Sequence, residues 1–169
     1  MGPSLRLKRY YVHGTMLHGT MESTMPFQWL QMRIQEETER RELQAKHVER
    51  MPAALQEIHD YLAQCIQAYT ENFGADSASI VLLPDRVQVT VREERDGKWQ
   101  RLSKVEVISV PDMPGFRVER GEFSMAVEFG LLPNDKLFYL DREQGTYLTM
   151  EEFTKRILDR ALFPALPEA

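Results

Sequence analysis

The histidines of this chain are poorly spaced for joint chemistry. The sequence contains His13, His18, His47 and His59. A helix places ligands on one face when they are three or four residues apart, whereas the first pair is five apart and the second pair is twelve apart, with Pro52 between them. No His-Glu-x-x-His pattern of a helical zinc site is present. The spacing therefore predicts that these histidines lie at the surface or at an interface and that they form no metal site.

The single cysteine, Cys65, lies beside Ile66 in a strongly apolar helical pattern. A reactive cysteine needs a positive, partly exposed environment, whereas apolar surroundings raise the pKa of a thiol. His59, six residues earlier, is about 240° around an ideal helix and cannot form a local dyad with it. One cysteine also excludes an intramolecular disulfide and multi-thiolate metal sites. We expect a core thiol, with no metal and no cofactor.

Acidic residues and glycines add no catalytic pattern. Local structure explains the acidic pairs, since all of them fall at predicted turns or helix starts: Glu93-Glu94, Asp141 with Glu143, and Glu151-Glu152. The nine glycines occur singly, so no Gly-rich phosphate-binding loop leads into a helix. A Gly-x-Ser-x-Gly motif is absent as well. The sequence predicts no particular reaction and leaves open whether the chain is an enzyme.

Composition and charge indicate a mildly acidic globular protein. The 169 residues are 43% hydrophobic and carry a formal net charge of −5, and this length is typical of one domain. An acidic domain repels phosphate, so we expect no nucleic-acid partner. No apolar run reaches the roughly 18 residues of a membrane-spanning helix, and no secretory signal is recognisable at the N-terminus. We expect no membrane contact and a cytoplasmic location.

The start of the chain differs from the rest. Residues 1–24 show neither helical nor strand periodicity and contain three glycines and one proline, and Met16, Met21 and Met25 are alternative internal starts. We interpret residues 1–24 as a disordered or spurious N-terminal extension. Residues 25–169 are predicted to form a single α+β domain.

Helical periodicity extends from Pro26 to the Gly74 stop. Apolar residues recur at steps of three or four at its start and again after Pro52, whereas residues 35–50 are nearly all polar. A proline inside a helix costs about 3 kcal/mol, so we expect either two helices or one long helix kinked at Pro52. A continuous helix of this length would span about 70 Å. Its first part must then fold back or meet a partner chain.

From residue 75 the apolar period changes to two, which predicts an antiparallel sheet of four to six strands. Val87 and Val89 can share a face with Val105 and Val107 only if the intervening loop has an odd number of residues. A three-residue turn, 95–97, satisfies this requirement. The clearest alternation lies in a later strand and predicts that its four apolar residues share one buried face: Phe123, Met125, Val127 and Phe129.

The last element has complete helix-start signals. Thr149 and Glu152 have the spacing of a capping box, and Leu148 and Phe153 occupy the positions of a hydrophobic staple. A helix therefore begins at Met150, ends before Pro164, and covers one face of the sheet. The predicted fold class is α+β, with an N-terminal helical pair or kinked long helix, an antiparallel sheet, and a C-terminal helix packed on the sheet.

Bulky residues at the start of the first helix suggest an interface. Phe27, Trp29, Leu30 and Ile34 crowd this segment, and the helix then becomes polar for four turns. Packing on the chain's own sheet is one explanation. A contact with another subunit is the other, because aromatic residues concentrate at such contacts. We interpret the chain as a noncatalytic binding or assembly protein, oligomeric through its N-terminal helix, with a homo-oligomer expected and another protein partner possible.

Two other functions stay open. A small enzyme or ligand-binding domain would have a pocket between sheet and helices, with Trp99, Arg117, Tyr139 and Tyr147 as candidate lining. An escort for secreted proteins is the third hypothesis. The expected build is similar to that of small acidic α+β dimers of the type III secretion chaperone class, although the likeness is one of general build and no motif carries it.

Overall fold

The computed structural model describes residues 27–111, 114–134 and 136–167, with the backbone alone at Leu131. The predicted extension, residues 1–24, lies outside this range. Internal contacts divide the described residues into two units, with the boundary between Glu37 and Thr38. Nine helices and strands follow one another in the described residues: α1 Gln28–Phe73, β1 Ala78–Leu83, β2 Arg86–Arg95, β3 Lys98–Val110, β4 Gly115–Arg120, β5 Phe123–Leu131, β6 Leu137–Asp141, β7 Thr146–Leu148 and α2 Met150–Leu162.

The strands form one antiparallel meander in which each strand pairs with its neighbours in the chain, in the order β1 to β7. This confirms the α+β class and the antiparallel sheet. The described residues contain seven strands, one more than the upper end of the predicted range. The additional strand, β7, has only three residues between a turn and the cap of α2, so it is too short to show an alternating pattern.

One face of the sheet is buried beneath the helices. The residues of β2 and β3 that alternate with polar ones, Val87, Val89, Val105 and Val107, point to this face and pair directly across the two strands. Buried residues of α1, of the strands and of α2 form a single hydrophobic cluster. The opposite face of these strands carries charged side chains such as Arg86. An antiparallel sheet with one covered and one solvated face has this alternation.

Helix α1 continues through Pro52, so of the two expected arrangements the structure has the single long helix and not a helical pair. The proline removes one backbone hydrogen bond, to the carbonyl of Val48. Both residues are exposed, so water can bond to that carbonyl. The residues that follow are fully buried, Leu55, Ile58 and Leu62. Their burial, at about 1.5–3 kcal/mol for each side chain, exceeds the cost of the proline.

The β2–β3 hairpin corrects the predicted turn. Arg95 pairs with Lys98, so the loop has two residues and not three. Asp96 and Gly97 both have positive φ, at 52° and 72°, which is the geometry of a type I′ turn with its Asp-Gly preference. The extra residue that parity requires is in β3, where the register shifts opposite Val91 and Arg92. The two strands still share their buried face, as predicted.

In β5 the alternation is correct for three of its four apolar residues. Met125, Val127 and Phe129 are buried, whereas Phe123, at the first position of the strand, is 39% exposed. The guanidinium of Arg120 lies 4.7 Å from the centre of its ring. The prediction of a fully buried face was therefore wrong at this position, because the covering layer does not extend to the end of the strand.

Helix α2 begins as predicted. The backbone N–H of Glu152 donates to the Thr149 hydroxyl at 3.2 Å, and the Glu152 carboxylate accepts from the Thr149 N–H at 2.9 Å. These two bonds complete the capping box. The bond from the Thr149 N–H is the largest cause of a lowered pKa of the Glu152 carboxyl, followed by a bond that the Thr149 hydroxyl donates to the same carboxylate. Leu148 and Phe153 are both buried. The cap thus fixes where α2 starts above the sheet.

Candidate functional site

The predicted interface residues lie in the first two turns of α1 and just before it. Phe27 is 55% exposed, Trp29 is 65% exposed and Ile34 is 44% exposed, while Leu30 is half-buried. Met32, between them, is exposed as well. Packing against the other described residues does not account for these apolar side chains, which lie on one short helical segment.

The next stretch of α1 carries charged and amide groups that bond along the helix. Arg33 forms an ion pair with Glu36 at 2.8 Å, and Arg40 donates to Gln44 at 3.0 Å. Residues 25–51 contain five acidic and five basic side chains. This part of the helix has no net charge to attract a strongly charged partner or to repel a second copy.

The residues that were candidates for a pocket do not converge. Tyr139 is buried on the covered face, with its ring centre 5.1 Å from that of Phe153. Tyr147 is exposed and packs against Phe138. Arg117 is exposed on β4, where it pairs with Glu119. Trp99 lies at the β2–β3 hairpin, so the predicted lining of a common pocket was wrong.

A different cleft lies between α1 and the end of β3. It has a volume of about 280 Å³ and is lined mainly by apolar side chains, including Val48, Met51 and Val110. His47 also lines it, although only 7% of this residue is exposed. The imidazole meets the ring of Phe129 edge-on, with the ring centres 5.5 Å apart.

The environment of His47 is unusual for a polar side chain. Its Nδ1 is enclosed by protein and has no hydrogen-bond partner among the described residues. A buried polar atom without a partner costs about 1–3 kcal/mol. The expectation that His47 is an ordinary surface or interface histidine is wrong. The sequence did not indicate the burial of His47, because Pro52 suggested that the helical phase changes there. In the continuous helix, His47 lies eight residues before Leu55 and on the same side as the buried residues that follow Pro52.

A second groove, of about 380 Å³, lies between α2 and the strands β5 and β6. Asp141, buried at its floor, forms an ion pair with Arg156 and accepts backbone N–H bonds from Glu143 and Gln144. The Arg156 guanidinium also donates to the Gln144 side chain at 3.1 Å. These contacts satisfy the charges of Asp141 and Arg156 locally and give Asp141 a structural role in this turn.

The remaining reactive side chains have local explanations. Cys65 is half-buried, and burial raises the pKa of its thiol. His59 lies near the surface of α1 and contacts Asp60 at 3.1 Å. No group of three or more His, Cys, Asp or Glu side chains in the described residues is arranged to hold a metal ion.

Comparison with known protein families, with curated protein sequences and with solved structures gives no match. Neither of the two helices in the described part of the chain has the apolar length that crossing a bilayer requires.

Proposed function

We propose that this chain is a noncatalytic assembly protein that forms a symmetric homodimer through the start of α1, residues 27–34. The observation that carries the proposal is the exposure of Phe27, Trp29 and Ile34 in the single chain. Soluble proteins rarely leave large apolar side chains clustered in water, and such clusters mark interaction sites.

The arrangement of these side chains around the helix supports an interface with another helix. At 100° per residue, Phe27, Leu30 and Ile34 lie within about 60° of one another, whereas Trp29 and Met32 lie on other sides of the helix. A helix that is apolar on several sides is stable when protein surrounds it. Pairing with a partner helix covers the side that carries Phe27, Leu30 and Ile34.

Charge favours a second copy over a charged partner. Residues 27–50, which comprise the apolar segment and the polar stretch that follows it, have five acidic and five basic side chains. Two copies of this helix side by side therefore experience no net repulsion, and ion pairs between them have partners of both signs. Aromatic and methionine side chains, both present in the segment, are enriched at the centres of protein interfaces.

The test measures the particle mass of the full chain by light scattering after size exclusion. We expect twice the chain mass of 19.7 kDa at micromolar concentration. The double variant Leu30→Glu/Ile34→Glu should have the mass of one chain with unchanged circular dichroism. Its matched control, Gln28→Glu/Gln35→Glu, adds the same charge on the side of the helix away from Leu30 and should remain dimeric.

Two results would contradict the proposal. If the wild-type chain is monomeric at high micromolar concentration, residues 27–34 do not mediate self-assembly. Equal dissociation by both double variants would show that added charge, and not loss of the apolar contact, separates the chains.

A further inference from the structure

The cleft beside His47 has the composition of a small-molecule site. Ligand pockets are concave and mainly apolar, with a few polar groups that orient the ligand. Here the apolar lining comes from α1 and from the end of β3, and three prolines frame it, Pro52, Pro111 and Pro114. A proline has a restricted φ angle, so the backbone is stiff at these three positions.

The polar groups of the lining are few, and most are already occupied. The Gln44 amide donates to the Pro111 carbonyl at 3.4 Å and accepts from Arg40 at 3.0 Å. Ser109 and His47 are the other polar side chains in the described lining. The Nδ1 of His47 is enclosed by protein, so Nε2 is the ring nitrogen left to bond a ligand.

The charge of the lining restricts the ligand. Among the described lining residues, His47 is the single ionisable side chain. An ammonium group entering this apolar site would lose its hydration without an acidic side chain among the described lining residues to compensate, and a carboxylate would have His47 alone. The cleft therefore suits an uncharged compound.

The two tautomers of His47 determine which polar group such a compound needs. A neutral imidazole donates from one nitrogen and accepts at the other, so Nε2 is either a donor or an acceptor. A hydroxyl group both donates and accepts, and it can bond Nε2 in either tautomer. We propose that the cleft beside His47 binds a small, uncharged, mainly apolar compound that carries one hydroxyl group, hydrogen-bonded to Nε2 of His47.

The volume sets the size of the ligand. The cleft has about 280 Å³, whereas an engineered apolar cavity of about 150 Å³ holds benzene. One substituted aromatic ring therefore fits. Suitable probes are 4-ethylphenol and 4-ethyltoluene, which have nearly the same shape and differ by a hydroxyl in place of a methyl group.

The experiment titrates each probe into the ¹⁵N-labelled full chain and follows amide chemical shifts by NMR. We expect saturable shifts in residues 47–51 of α1 and 109–110 of β3 for both probes. The phenol should bind roughly threefold to tenfold more tightly, which is the range expected for one neutral hydrogen bond. In His47→Leu this difference should disappear while 4-ethyltoluene still binds, which also shows that the cleft is intact.

A second pair of variants tests the location. Val48→Trp places a large ring in the cleft from an exposed position of α1 and should abolish binding of both probes. Val81→Trp, at an exposed position of β1 outside the cleft, should change neither affinity. Equal affinities for the two probes, a preference that persists in His47→Leu, binding that survives Val48→Trp, or no saturable shift in the wild-type chain would each overturn the proposal.

Discussion

Replacing Tyr139 by Phe should stabilise the protein. Tyr139 is 3% exposed, and its hydroxyl has no hydrogen-bond partner among the described residues. Burying a hydroxyl without a partner costs about 1–3 kcal/mol. Phenylalanine keeps the ring and its contacts with Phe153 and with the cross-strand residue Phe129. We expect the free energy of unfolding to rise by about 1 kcal/mol and the melting temperature to rise by about 2–4 °C.

The effect should grow at alkaline pH. Burial, followed by the charges of Glu57 and Tyr61, raises the pKa of Tyr139 above its usual value of 10. The neutral phenol is therefore favoured in the folded state, whereas the unfolded chain loses this proton near pH 10. The resulting stabilisation is fully present below pH 10 and is lost as pH rises towards the folded-state pKa. Tyr139→Phe has no proton to lose, so its advantage over wild type should increase above pH 10.

The assay is urea unfolding followed by circular dichroism at pH 7 and at pH 10.5. Tyr69→Phe is the matched control, because the Tyr69 hydroxyl donates to the Leu162 carbonyl at 3.4 Å. This control should lose about 0.5–1 kcal/mol. If Tyr139→Phe loses as much as the control, the Tyr139 hydroxyl has a bonding partner in the folded protein, and the reasoning is refuted.

Three further predictions use the same unfolding assay. Val127→Asp places an unpaired charge on the buried face and should lower the free energy of unfolding by more than about 3 kcal/mol. Glu128→Lys, on the other face, should change it by less than about 0.5 kcal/mol. Reversed effects would mean that the two faces of the sheet are assigned backwards. Thr149→Ala should lose about 1 kcal/mol of capping and Thr149→Ser little, and equal losses would argue against the cap. Asp96→Ala should cost about 1 kcal/mol because Asp96 has positive φ, while Asp96→Asn should be neutral; an unaffected Ala variant would favour the three-residue loop.

Local signals predicted α2 most completely. The start of this helix depends on residues at most five apart, Leu148, Thr149, Glu152 and Phe153, and all of their contacts form within one turn of the chain. Such signals need no knowledge of the rest of the fold. The strands were predicted for a similar reason, since a period of two indicates which side chains share a face wherever the sheet lies.

Features that depend on distant partners were predicted less well. Parity showed that one extra residue separates the two valine pairs of β2 and β3, but it could not place that residue. The turn took the two-residue Asp96-Gly97 form, and the extra residue became a bulge in β3. Phe123 follows the alternation of β5 and is nevertheless exposed, because burial depends on how far the covering helices extend.

The two candidate sites also differ in whether local sequence signals are enough to predict them. Residue type alone identified the apolar start of α1, since its aromatic side chains are adjacent in sequence. The cleft beside His47 requires α1 to remain helical through Pro52, because only then does His47 stay in phase with Leu55 and Ile58 on the buried side. A break at Pro52 would have released His47 from that phase, and the cost of an interior proline made either a break or a kink the expected outcome. The burial of the apolar residues after Pro52 outweighs the cost of the proline and keeps the helix continuous. The continuous helix also holds the His47 ring against Phe129, at the margin of the apolar cleft.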